Sequence, residues 1–125
     1  MTDGREGRTE QAGQPGRLSV KTGVSDGIRV LTVAGAIDYD TCEKLQQALE
    51  PSGPLPPRVV VDMRQVTFMD SSGINVILGA YRTYSTADGW LRLAGPTGAA
   101  KRALQLVGLD TVIDCHETLH QALNA

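Results

Sequence analysis

Residues 59–84 leave little choice of fold, because they join a buried strand to an amphipathic helix. The strand is Val59–Met63, which is apolar except at Asp62. A short polar loop follows it, and Asp70-Ser71-Ser72-Gly73 then opens the helix. The apolar positions of this helix share one face and are Ile74, Ile77, Leu78 and Tyr81. A strand that leads into a helix of this kind predicts a βα unit, and therefore an α/β fold.

The rest of the chain predicts the element order β-β-α-β-α-β-α-β-α. The turn Val24-Ser25-Asp26-Gly27 joins the first two strands into an antiparallel hairpin. Strands separated by helices are expected to be parallel, so the sheet is mixed, with its antiparallel strand first. Thr111–Ile113 is predicted to be the short last strand. Helix starts are predicted at three places, namely Asp40 with Glu43, Thr97, and Asp114 with Glu117.

The composition is that of one globular domain of 125 residues, with 41% hydrophobic and 21% charged residues. Residues 1–16 are polar and glycine-rich and are predicted to be a disordered tail, so the folded domain is expected to span residues 17–125. A net charge of −2 gives no basic surface for nucleic acid. The sequence contains no apolar run that predicts a membrane span or a signal peptide, so we expect no membrane partner and a cytoplasmic location.

Polar side chains follow two strands that a βα crossover makes neighbours. Asp38 and Asp40 come after the second strand, and Asp70 and Ser71 come after the third. Because the carboxyl ends of parallel strands meet at one edge of the sheet, these residues are expected to lie together. A serine at a helix start can be a nucleophile, a cap or an acceptor of phosphate. The simplest alternative is that Asp40 and Ser71 only cap helices while the other two carboxylates are solvated.

Catalytic patterns fit this cluster poorly. Asp38-x-Asp40 is similar to a haloacid dehalogenase-type phosphatase, but no suitably placed lysine and no cap domain accompany it. A receiver-like phospho-aspartate site would need a lysine after the last strand, where Asp114 and Cys115 stand. A serine hydrolase would need a glycine two residues before Ser71, but Met69 stands there.

Metal patterns fit no better, since the two histidines, His116 and His120, lack a third ligand, and Cys42 and Cys115 have no C-x-x-C spacing. The sequence therefore predicts a protein that is not an enzyme and has neither a metal nor a cofactor.

The segment TFMDSSGINVILGAYR resembles the signature of the STAS family, specifically of the anti-sigma factor antagonists. The resemblance extends over about Leu18 to Ala125. It includes Gly35-Ala36-Ile37-Asp38, which is similar to the family's G-E-L-D, and Leu106-Val107-Gly108-Leu109, which is similar to its S-G-L turn. Two positions depart from the family pattern: Asn75 stands where glycine is frequent, and Ala36 where glutamate is.

The resemblance implies a single STAS domain that acts as an anti-sigma factor antagonist. Its phosphate acceptor would be Ser71, with Ser72 a weaker candidate, and its kinase would be an anti-sigma factor of the GHKL type. Unphosphorylated, the chain would bind that kinase and free a sigma factor; phosphorylated, it would be released until a PP2C-type phosphatase reset it. The alternative is a STAS scaffold or ligand-sensing module in another complex. The residues expected to bind the partner are Asp38, Asp40, Asp70, Ser71, Ser72, Gly73, Ile74 and Asn75.

Overall fold

A computed structural model of the protein describes residues 18–125. The predicted tail, residues 1–16, lies outside the described residues. Within residues 18–125, five strands and four α-helices follow one another in the predicted order. The strands are β1 (Leu18–Ser25), β2 (Ile28–Ile37), β3 (Arg58–Met69), β4 (Trp90–Ala94) and β5 (Cys115–His116). The helices are α1 (Cys42–Ala48), α2 (Ser71–Thr86), α3 (Gly98–Leu106) and α4 (Leu119–Leu123).

The sheet confirms the predicted mixed topology. Its strand order is β1-β2-β3-β4-β5, with β1 antiparallel to β2 and every other pair parallel. The hairpin between β1 and β2 turns at Asp26 and Gly27, which both have positive φ angles, of 51° and 79°. Two such residues make the type I′ turn that matches the twist of the paired strands.

The third strand is longer than its sequence predicts. The expected polar loop after Met63 is wrong, because β3 continues without a break to Met69. Its pairing with β2 skips a residue twice: Thr32 and Ala34 face Asp62 and Gln65, and Gly35 and Ala36 face Val66 and Phe68. Each skip is a β-bulge that leaves one extra residue in β3 and breaks the alternation by which a strand is recognised.

Each face of the sheet carries its own hydrophobic cluster. The larger one packs inward residues of β1–β4 against the apolar sides of α1, α2 and α3. The smaller one, on the opposite face, joins Ile28, Val60 and Ala94 to Ala122 of α4. No helix within residues 18–125 combines the length and apolarity needed to cross a membrane.

Near the C-terminus two predicted features are wrong. Thr111–Ile113 is not a strand, because the left-handed Gly108 leads directly into a 3₁₀ turn, Leu109–Thr111. The last strand is instead the two-residue β5.

Asp114 and Glu117 do not start α4 either. Its N-cap is Thr118, whose hydroxyl accepts a bond from the Gln121 backbone N–H at 3.1 Å. The Gln121 side chain in turn accepts a bond from the Glu117 N–H, one residue before the N-cap, at 3.0 Å.

Candidate functional site

The site lies where β2 and β3 end side by side. Ile37 and Met69 are paired in the parallel register, and the Asp70 N–H donates to the Ile37 carbonyl at 3.1 Å. This bond joins the first residue after β3 to the last residue of β2. The structure therefore brings together the two polar segments that the sequence placed at one edge of the sheet, residues 38–41 and 70–75.

Asp38 organises the loop between β2 and α1. Its Oδ1 accepts bonds from the Asp40 N–H at 2.9 Å and the Thr41 N–H at 3.0 Å. The Thr41 hydroxyl accepts from the Asp38 N–H at 2.9 Å and donates to the Ala36 carbonyl at 2.8 Å. Asp40 was therefore wrongly predicted as the N-cap of α1. The N-cap position is Thr41, and the carboxylate that satisfies the local N–H groups is Asp38, in the manner of an Asx turn.

Asp70, not Ser71, is the N-cap of α2. Its Oδ1 accepts bonds from the Ser72 N–H at 2.8 Å and from the Gly73 N–H at 3.4 Å. Ser71 is the first residue of the helix and is exposed to solvent. Its hydroxyl makes no hydrogen bond to any residue among 18–125. Within that range it therefore neither caps the helix nor is hydrogen-bonded to a general base. The structural alternative, in which Ser71 caps the helix, is wrong because the cap is already filled.

Gly73 sets how closely α2 packs on the strand ends. A Cβ added there would lie 2.7 Å from Ile37 Cγ2 and 2.7 Å from Met69 Cγ. Both distances are shorter than any normal carbon contact, so only glycine allows α2 this close to the strand ends. Gly73 and Ile74 are buried, so they position the site, whereas Ser71 and Asn75 are exposed and Ser72 is half-buried.

The two segments that form the site are acidic. Residues 36–43 and 68–76 contain four carboxylates and no lysine or arginine, the carboxylates being Asp38, Asp40, Glu43 and Asp70. The nearest lysine in sequence, Lys44, points its ammonium at the Leu18 carbonyl, 2.9 Å away.

Tyr39 is a feature of this end that the sequence analysis missed. It lies between the two loop acids and is 80% exposed, one of the most exposed large apolar side chains of the described region. The sequence signal was available, since an aromatic residue flanked by two aspartates in a loop has nothing local to pack against.

The other candidate ligands do not assemble into a site. The helix start predicted at Asp114 would have placed both histidines in the last helix, but His116 lies in β5 and only His120 is in α4. Between residues 18 and 125, no group of three His, Cys, Asp or Glu side chains is placed to hold a metal ion. Cys42 and Cys115 are free thiols, and burial, with the charges of Asp110 and Asp114, raises the pKa of Cys115.

Comparisons with known proteins identify the family to which this fold belongs. The model of the STAS domain family matches residues 19–122. The anti-sigma-B factor antagonist of Listeria monocytogenes is 31% identical over 98 residues, 78% of this chain and 85% of that protein. The anti-sigma-F factor antagonist RsfB of Mycobacterium tuberculosis is 27% identical over 110 residues, 87% of this chain and 89% of that protein.

A solved structure that resembles this one also belongs to an anti-sigma factor antagonist. The crystal structure of an anti-sigma factor antagonist from Mycobacterium paratuberculosis superposes with a TM-score of 0.78 at 27% identity, covering 89% of this chain and 95% of that one. The chain therefore belongs to the STAS domain family, and the relatives that it matches over most of its length are named anti-sigma factor antagonists.

Proposed function

We propose that this chain is a cytoplasmic anti-sigma factor antagonist whose binding is switched by phosphorylation of Ser71. Unphosphorylated, it binds an anti-sigma factor that is also a GHKL-type serine kinase, and the sigma factor held by that protein is freed. Phosphorylated, it dissociates, and a PP2C-type phosphatase restores it. The observation that carries the proposal is the free, exposed hydroxyl of Ser71 at the start of α2, inside an acidic surface.

The position of Ser71 supports the proposal that it is a substrate residue. A kinase must reach the hydroxyl from solvent, and Ser71 is exposed while Ser72 is half-buried. The histidines lie in β5 and α4, so they do not act as a base for Ser71, and Asp70 is engaged with the N–H groups of α2. The chemistry of the transfer is therefore assigned to the partner, and this chain is proposed not to be an enzyme.

A phosphate on Ser71 would meet little compensating charge. The Asp70 carboxylate already offsets part of the positive charge at the start of α2, because it accepts hydrogen bonds from the Ser72 and Gly73 N–H groups. A phosphoserine adds about −1.5 to −2 charges. Each pair of unit charges at about 6 Å repels by about 0.7 kcal/mol in water and by about 3 kcal/mol at an effective dielectric of about 20. The higher figure applies when a partner excludes water from the surface.

Repulsion of this size is sufficient for release. A loss of about 2 kcal/mol weakens binding about thirtyfold. The penalty is largest in the complex, where solvent no longer screens the phosphate from Asp38 and Asp70. In the free domain the repulsion is weaker, because Ser71 is exposed and solvent screens the phosphate. Phosphorylation is therefore expected to leave the fold intact.

The test is phosphorylation by the candidate kinase with ATP, followed by mass spectrometry. Wild-type chain is expected to take up one phosphate, on Ser71, and Ser71→Ala none. Ser72→Ala and Ser85→Ala are matched controls that keep Ser71, and both should be phosphorylated. Stoichiometric phosphate on Ser71→Ala would refute the site.

Binding tests the switch itself. Ser71→Glu is expected to bind the kinase about tenfold or more weakly, whereas Ser85→Glu, at the far end of the same helix, should bind like the wild type. If Ser71→Glu binds normally although Ser71 is the acceptor, the release mechanism is wrong. Binding to other proteins with no kinase interaction would favour the scaffold alternative instead.

A further inference from the structure

Tyr39 stands out because it is a large aromatic side chain that the fold leaves uncovered beside Ser71. It is 80% exposed, and it occupies the loop between β2 and α1. We propose that Tyr39 is the anchor by which the kinase recognises this chain, its ring entering an apolar socket on a partner surface that is otherwise basic. This inference rests on the proposed function, since the occupant is the partner that phosphorylates Ser71.

The loop holds Tyr39 in a fixed position. The Asp38 carboxylate precedes Tyr39 and accepts hydrogen bonds from the backbone N–H groups of Asp40 and Thr41, which follow it. The Tyr39 carbonyl also accepts a bond from the Cys42 thiol at 3.4 Å. With the backbone fixed on both sides, only the two side-chain torsions of Tyr39 have to be ordered on binding. Tyrosine is common among interface hot spots because it offers a large contact area at this low entropic cost.

Tyr39 lies within reach of any partner that covers Ser71. Each residue is two positions beyond one member of the Ile37–Met69 pair, and paired strands are about 5 Å apart. Their Cα atoms are therefore separated by at most about 20 Å, whichever way the two segments turn. A typical interface covers about 800 Å² on each partner, a patch roughly 30 Å across. A kinase seated on Ser71 therefore has room to contact Tyr39 as well.

The charge around Tyr39 defines the chemistry of the partner. Asp40 and Glu43 are exposed on either side of the loop, and no basic residue occurs within residues 36–43. A partner surface that is apolar throughout would bury the Tyr39 ring, but it would also desolvate these carboxylates. That desolvation is unfavourable without a counter-charge. A basic rim around an apolar socket satisfies both, and its attraction to the acids increases the association rate.

The chain offers a matched control in Leu55. Leu55 is also 80% exposed, but it lies in the segment before β3, at the opposite end of that strand. The twelve residues of β3 separate the two ends by about 40 Å. Tyr39→Ala and Leu55→Ala therefore remove similarly exposed apolar side chains, one beside Ser71 and one remote from it.

The experiment measures the affinity and the phosphorylation kinetics of the full chain with the GHKL-type kinase tested on Ser71. Tyr39→Ala is expected to weaken binding about thirtyfold and to raise KM, with kcat within twofold of wild type. Leu55→Ala should stay within twofold of the wild type in affinity, KM and kcat. Tyr39→Phe should retain most of the affinity if the ring is the anchor, and Asp40→Lys should slow association, more so at low salt. Thermal unfolding of each variant checks that the fold is kept.

The outcomes separate the two proposals. If Ser71 is phosphorylated but Tyr39→Ala binds like wild type, the anchor is wrong and the proposed function stands. An equal loss in Tyr39→Ala and Leu55→Ala would overturn the anchor as well. If the wild-type chain neither binds nor is phosphorylated by a kinase of this class, both proposals fail. A dimer of the free chain that dissociates in Tyr39→Ala would assign the residue to self-association instead.

Discussion

The packing of Gly73 against the two strand ends leaves no room for a Cβ and supports a quantitative test by Gly73→Ala. The new Cβ would lie 2.7 Å from Ile37 Cγ2 and from Met69 Cγ, and 3.2 Å from Met69 Sδ. Met69 is flexible and can move its side chain away. Ile37 is β-branched and fully buried, so its Cγ2 has no free rotamer to adopt. The start of α2 must therefore shift outward, by about 1 Å if a normal carbon contact is to be restored.

The expected cost follows from two opposing terms. Overpacking a core by one methyl group destabilises by about 1 to 3 kcal/mol. Alanine instead of glycine in a helix returns up to about 1 kcal/mol. Gly79→Ala supplies the matched control, because it lies in the same helix and nothing is within 4 Å of its added Cβ. The difference between the two variants therefore isolates the clash, at about 1 to 3 kcal/mol.

Chemical denaturation of the wild type and both variants measures this difference, and thermal unfolding gives their melting temperatures. Gly79→Ala should be slightly more stable than the wild type, and Gly73→Ala less stable, with melting temperatures separated by roughly 3 to 12 °C. Removing the obstructing methyl group with Ile37→Ala should make the Gly73→Ala change less costly, which a double-mutant cycle would detect. The reasoning is refuted if Gly73→Ala is as stable as Gly79→Ala. Because the same shift displaces Ser71, Gly73→Ala should also slow its phosphorylation.

Three further predictions concern single interactions. Asp70→Asn should keep the cap of α2 and nearly all stability, whereas Asp70→Ala should lose about 1 kcal/mol in urea denaturation. Tyr84→Phe should cost about 1 to 2 kcal/mol, because the buried Tyr84 hydroxyl donates to the Leu49 carbonyl at 2.9 Å. Burial raises the pKa of Tyr84, so above about pH 10 the unfolded chain binds fewer protons than the native one and stability falls as pH rises. Tyr84→Phe should lack that part of the alkaline slope. Arg64→Gln should lower the urea midpoint, because it leaves the Asp62 carboxylate, which is 2% exposed, without the guanidinium 2.8 Å away; an unchanged midpoint would contradict this.

The architecture was largely predictable because it follows from local patterns. Alternation and helical periodicity predicted the order of elements, and the tendency of consecutive strands in a βαβ unit to be neighbours predicted that β2 and β3 lie side by side. That adjacency was enough to place Asp38 and Asp70 at the same end of the sheet. The partner-binding roles of these residues are still predictions.

Details of the backbone were not predictable from local patterns. The bulges in β3 depend on how it pairs with β2, so the polar residues Arg64, Gln65 and Thr67 looked like a loop. The capping residues were mistaken for a similar reason. Several side chains compete for the same N–H groups, and the tertiary structure decides whether Asp38 or Asp40 reaches them. The exposure of Tyr39 is different, because its position between two aspartates in a loop already indicated it.

The bond from the Asp70 N–H to the Ile37 carbonyl has a consequence for when the chain can signal. It joins two segments that are distant in the chain, so an unfolded copy does not hold them together and an incompletely synthesised copy can lack the second one. Under the proposed function, a peptide cut from residues 64–80 should be a poor kinase substrate although it contains Ser71. Regulation would then respond only to copies that have completed folding, and damaged or nascent chains would remain silent.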